Sequence, residues 1–192
     1  MSLILQGSTS GSITLQEPAV AGTTVLDLPA VSGTILTTTS PKAGNVIQVV
    51  NTMNSTVATG TGTIPQDDTI PQNTEGTEFM TLAITPTNAT SKLKIDVVVN
   101  GAGSGANSWI VGLFQDSTVN AISAINYNMA ANNVSSPASF TYYMTAGTTS
   151  STTFRIRVGC STAGTFTFNG QSSSRLLGGV MASSITIMEI AA

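Results

Sequence analysis

Glycine stands at positions 11, 22, 33 and 44, one every eleven residues, and each opens a short apolar burst: Gly11-Ser12-Ile13-Thr14-Leu15, Gly22-Thr23-Thr24-Val25-Leu26, Gly33-Thr34-Ile35-Leu36-Thr37 and Gly44-Asn45-Val46-Ile47-Gln48. Pro18 and Pro29 punctuate the gaps, both followed by Ala-Val, and Pro41 falls one residue out of step. A period of eleven also suits a right-handed helical coil. Glycine in every unit, proline in the gaps and β-branched residues behind each glycine favour strands instead. The unit reads turn, short strand, turn, short strand. One copy of so narrow a ribbon cannot cover its own Ile, Leu and Val side chains, so the spacing predicts identical chains wrapped around a common axis. Gly11, Ile13, Leu15, Gly22, Val25, Leu26, Gly33, Ile35, Leu36, Gly44 and Val46 are the structural residues of this expected shaft, residues 1–50. The competing reading is a flexible Ser/Thr/Gly linker, which has no reason to keep a register.

Composition agrees with strands. Thr and Ser occupy 54 of 192 positions, with 18 Gly and 13 Asn beside them, residue types that favour strands and turns. Only 8% of residues are charged while 41% are hydrophobic, so the chain is expected to fold rather than to stay disordered. Six Lys and Arg against nine acids leave little cation for phosphates, which argues against DNA or RNA as a partner. No apolar run approaches a membrane helix, so no membrane insertion is expected, and Met1–Gln6 lacks the basic start of a signal peptide. A lone cysteine, Cys160, cannot form an intrachain disulfide.

Residues 51–77 read as a connector: the pattern lapses into Thr-Gly-Thr-Gly-Thr and two Ile-Pro pairs. Four of the nine acids, Asp67, Asp68 and Glu75 within it and Glu78 just beyond, fall within twelve residues. Clustered oxygens can attract calcium, but the spacing matches no calcium loop, and a solvated acidic loop is the expected reading. From residue 78 onward a period of two takes over. Leu93, Ile95, Val97 and Val99 oppose Lys92, Lys94 and Asp96, and Phe154, Ile156, Val158 and Cys160 alternate with Arg155 and Arg157. Further strands are predicted at 78–85, 108–115, 119–125, 139–145, 164–169 and 184–190. Eight strands without a helical pattern predict an all-β, jelly-roll-like two-sheet sandwich over 78–192. A seven-stranded immunoglobulin-like sandwich is the alternative, though it would lack the cysteine pair. Between Asp96 and Arg155 the only charge is Asp116, so some faces of the head are expected to meet neighbouring subunits.

The segments "LQEPAVAGTTVLDLPAVSGTIL", "AGNVIQVV", "ITPTNATSKLKIDVVV" and "SSITIMEI" together resemble short tail-fibre-like and virion-appendage proteins of tailed bacteriophages. The resemblance runs over most of the chain, is compositional and architectural, and carries no catalytic fingerprint. It implies a homotrimer made in the host cytoplasm and located on the virion, at the tail or the capsid surface. It further implies attachment to other virion proteins through the N-terminal segment and display of a β-rich head. A shaft of about 45 residues suits a stubby knob or a capsid decoration better than a long host-recognition fibre. Host adhesion through a surface glycan or protein would be the head's task. A decoration without a receptor role and an oligomeric carbohydrate-binding lectin are the other readings.

For chemistry the sequence offers little. There is no histidine, the commonest general base and metal ligand. The head's acids are Glu78, Asp96, Asp116 and Glu189. Asp96 and Glu189 sit on strands and are expected to face outward as solubilising groups. No enzyme, cofactor or metal is therefore expected. Gly101-Ala102-Gly103-Ser104-Gly105 lacks a dinucleotide fingerprint and reads as a hairpin tip. Trp109 alternates with Val111 and Leu113, which predicts core packing. Tyr127, Tyr142 and Tyr143 are the candidate recognition surface, and equally candidates for subunit contacts. Arg155 and Arg157 share one strand face, facing solvent or a carboxylate of a neighbouring subunit, and Cys160 is expected to pack as a small apolar residue.

Overall fold

A computed structural model describes residues 3–6, 8–15, 41–104 and 108–192, which fall into two units, Met1–Ile35 and Leu36–Ala192. In the first unit β1 (Leu3–Gln6) and β2 (Ser12–Leu15) form an antiparallel hairpin, with Leu3 opposite Leu15 and Gln6 opposite Ser12. Gly11 has φ +77° where the chain enters β2, a left-handed conformation that glycine adopts without strain. Ile4 and Leu5 are 55% and 50% exposed. Gly22, Val25, Leu26, Gly33, Ile35 and Leu36 lie outside the described residues, as do the side chains of Ile13 and Leu15.

The second unit is a sandwich. Its strands are β3 (Val46–Asn54), β4 (Ala58–Gly60), β5 (Thr77–Ile84), β6 (Lys92–Gly103), β7 (Ser108–Gln115), β8 (Ser123–Asn128), β9 (Ser136–Thr145), β10 (Thr152–Cys160), β11 (Phe166–Phe168), β12 (Gly170–Gln171), β13 (Ser174–Arg175) and β14 (Ser183–Ile190). One sheet runs β3-β14-β6-β9, with the short strands β11 and β4 continuing the lines of β14 and β3; the other runs β5-β10-β7-β8. Numbering the eight long strands in chain order, the first sheet holds the first, eighth, third and sixth, and the second holds the second, seventh, fourth and fifth. That interleaving is the strand order of a jelly roll and excludes the immunoglobulin-like alternative. Every named pairing is antiparallel.

The period-two pattern explains the layers. Leu93, Ile95, Val97 and Val99 on β6 and Phe154, Ile156 and Val158 on β10 turn inward with Trp109, Phe166, Phe168, Ile185 and Ile187. Fully burying one such side chain is worth roughly 1.5–3 kcal/mol. Where β11 succeeds β14, the sheet is closed by amides. Asn169 Nδ2 donates to the carbonyls of Asn54 (2.7 Å) and Thr56 (3.2 Å), and Ser183 Oγ donates to Asn169 Oδ1 (2.7 Å). Among the described residues no helix is long and apolar enough to cross a membrane.

Several sequence expectations are corrected. Gly44 and Val46, placed in the shaft, belong to the sandwich: Gly44 N–H donates to Ala191 O (2.9 Å), Ala191 N–H donates to Asn45 O (2.9 Å), and Val46 pairs with Ile190. The divisions at 50/51 and 77/78 therefore cut through β3 and β5, and the connector supplies the end of β3 and the whole of β4. Gly101-Ala102-Gly103 is no hairpin tip; it is the end of β6, paired with β11. A Cβ on Gly101 would stand 2.3 Å from Phe166 Cζ, so the glycine is there to let that ring close over the strand. The strand expected at 119–125 starts later, at Ser123, because Asn120 and Ala121 pair instead with the connector at Gln72 and Pro71.

Candidate functional site

The three tyrosines do not form one surface. Adjacent residues of a strand point to opposite faces, and on β9 Tyr143 is 58% exposed while Tyr142 is half-buried against the core. Tyr127, on the other sheet, packs its ring 5.2 Å from that of Trp109. Trp109 itself is fully buried, as its alternation predicts. Cys160 is also buried, and that burial raises its thiol pKa.

Polar chemistry concentrates instead on the outer face of the second sheet. Residues 61–76 cross that face as a strap. Thr63 bridges to Cys160, Ile64 is fully buried, and Ile64 N–H donates to Cys160 O (3.1 Å). A Cβ on Gly159 would lie 2.7 Å from Gly62 O and from Ile64 N, so β10 needs glycine where the strap rests on it. Arg157 fastens the far end: Nε donates to Glu75 O (2.7 Å) and Nη2 to Gly76 O (2.9 Å). Cross-strand register places Glu78 directly opposite Arg157. Arg155 Nη1 donates to Glu78 Oε1 (3.2 Å) and Arg155 Nε to the Asp116 carbonyl (3.1 Å). Asp116 sits in the turn after β7 with φ +51°, a conformation Asp tolerates, and its carboxylate accepts from Thr152 Oγ1 (2.8 Å) and Thr153 N–H (2.7 Å). Asn73, Glu78, Phe114, Asp116, Ser117, Arg155 and Arg157 line a cleft of about 340 Å³ there.

The remaining acids are dispersed. Asp67 accepts from its own turn at Thr69, hydrogen bonds that lower its pKa, and Glu75 caps Gln72 N–H (2.9 Å). Among the described residues no three His, Cys, Asp or Glu side chains come together to hold a metal ion. Asp96 faces outward as expected. Partial burial works against its charge, but bonds from Lys94 and Thr141 hold its carboxyl below the ordinary range.

Glu189 overturns its expectation. It shares the inward face of β14 with Ile185 and Ile187 and is 0% exposed. Its carboxylate accepts from Gln48 Nε2 (2.6 Å), Thr87 Oγ1 (2.8 Å), Thr87 N–H (2.9 Å) and Asn88 N–H (3.2 Å). Burial opposes the charge, yet the donors from Gln48 and Thr87 prevail and lower its pKa. It clasps the β5–β6 loop to the end of the sandwich.

No family model and no curated protein matches the sequence. Among solved structures, Eiger TNF from S. frugiperda is similar at TM-score 0.40 and 9% identity, covering 74% of this chain and 93% of that one. Infectious bursal disease virus Gt strain matches at 0.38 and 14%, covering 98% of this chain and 46% of that one. The insecticidal δ-endotoxin Cry8Ea1 from Bacillus thuringiensis matches at 0.37 and 11%, covering 60% of this chain, which spans only 18% of the toxin's length. At such scores the fold assignment stands on strand order alone.

Proposed function

We propose that the chain is a non-enzymatic structural protein of a tailed-bacteriophage virion: a homotrimeric fibre or knob, attached through its N-terminal segment, that displays the jelly-roll head for adhesion to a host surface. The observation that carries the reading is the N-terminal hairpin. Two four-residue strands cannot build a core, and Ile4 and Leu5 are left half exposed or more, side chains that sister copies would cover. The resemblance of the repeats to phage appendage proteins supplies the particle. Use of the head's carboxylates supports a role without catalysis: Glu189 clasps a loop, Asp96 pairs with Lys94, Asp116 holds Thr152 and Thr153, and Glu78 holds Arg155. Imaging intact particles with an antibody to the head is the test. Label at regular positions on the tail or capsid surface is expected; purified particles free of the chain would refute the reading.

A further inference from the structure

We propose that the cleft beneath the strap is a binding site for a neutral saccharide, which it grips by adjacent ring hydroxyls. Of the chain's six cationic and nine acidic residues, two of each converge there. Their formal charges sum to zero, so the cleft carries no net charge to favour an ionic ligand of either sign. What it has is donors beside acceptors. A sugar hydroxyl both donates and accepts, and a guanidinium next to a carboxylate serves each of two neighbouring hydroxyls with the partner it lacks.

Valence is left over for this. Among the described residues Arg155 Nη2, Asn73 Oδ1 and Ser117 Oγ have no hydrogen-bond partner, and Glu78 accepts hydrogen bonds from Arg155 Nη1 while Arg157 Nη1 pairs with its Oε2 at 3.7 Å. The groups are also pre-positioned. Arg155 is held at Nε and Nη1, and Asp116 by two bonds from β10. Asn73 Nδ2 is tied to the Thr118 carbonyl at 3.1 Å. Phe114, fully buried, closes the floor. A volume of about 340 Å³ suits one or two sugar rings, at the lower end of ligand sites.

The proposal names a ligand for the adhesive role proposed above and rests on that role for its purpose, but it is measured on the protein in solution, without the particle. Saturation-transfer NMR and titration calorimetry of the full chain would use methyl glycosides of glucose, galactose, mannose, rhamnose and N-acetylglucosamine, with N-acetylneuraminic acid as the anionic comparison. At least one neutral glycoside is expected to bind with a Kd on the order of 1 mM, unchanged when salt rises from about 0.05 to 0.5 M. Glu78→Ala and Arg155→Met should each weaken binding about tenfold or more, while Met53→Ser, at an exposed position of β3 on the opposite sheet, leaves it unchanged. Ser117→Leu, at an exposed position without a side-chain bond, fills the cleft and should abolish binding with the fold intact. No binding by any neutral glycoside, binding that survives Ser117→Leu, or binding of the anion alone with loss in salt would overturn the proposal. None of these results touches the trimer or the particle, which the imaging experiment decides separately.

Discussion

Replacing Glu189 tests whether the head is held at one end by a buried, uncompensated carboxylate. Four donors converge on it: Gln48 Nε2, Thr87 N–H, Thr87 Oγ1 and Asn88 N–H. Glu189→Gln keeps the shape but turns one acceptor oxygen into an NH₂ group facing donors and removes the charge from the other bonds. With bonds to a charged group worth about 1.5–3 kcal/mol each and some recovered by the remaining oxygen, the expected loss is about 3 kcal/mol. The sign of the pH dependence follows from the lowered pKa. The clasp is fully present above the unfolded-state value of about 4.3 and is lost as pH falls through the lower folded-state value. Urea unfolding followed by the fluorescence of the single, fully buried Trp109 reads both quantities, at fixed protein concentration. Wild type and Glu189→Gln should differ by a constant amount from pH 6 to 8 and converge below about pH 4. A difference under about 0.5 kcal/mol, or one that stays constant down to pH 3, would refute the reasoning.

Gly159→Ala drives a methyl into the backbone of Gly62 and Ile64, so it should cost about 1–3 kcal/mol and speed proteolysis within residues 61–76 before the sandwich is cut. Asn169→Ala leaves the carbonyls of Asn54 and Thr56 and the Ser183 hydroxyl without their partner; a loss of about 2–4 kcal/mol in urea unfolding is expected. Asp96→Asn removes a surface pair and should change stability by less than about 1 kcal/mol in the same assay. Cys160 should resist thiol reagents in the native protein and react at once in urea, since burial both hides the thiol and raises its pKa.

The half-buried strands were legible because their alternation is what a two-layer sandwich imposes, and Leu93 to Val99 and Phe154 to Cys160 lie where that pattern puts them. β3 was hidden by a coincidence: Gly44 continues the eleven-residue spacing, yet the bend it makes with φ +87° leads into the sheet. Glu189 is a different failure. Period two places it with Ile185 and Ile187, so its inward direction was readable; the donors that make burial tolerable come from Gln48 and Thr87, over a hundred residues away. Tyr142 and Tyr143 are neighbours on a strand and could never have shared a face. The cleft was illegible, because Asn73, Glu78, Asp116 and Arg155 meet only through strand register and the path of the strap. β4 and β11, at three residues each, are too short to show a period.

Sedimentation equilibrium of the full chain tests most directly the claim that sister copies cover the apolar strips of the N-terminal hairpin. A single species of about 58 kDa, three times the 19.5 kDa chain, is expected, and Ile4→Ser with Leu5→Ser should loosen it. A monodisperse species at the mass of one chain, at every concentration examined, would contradict it.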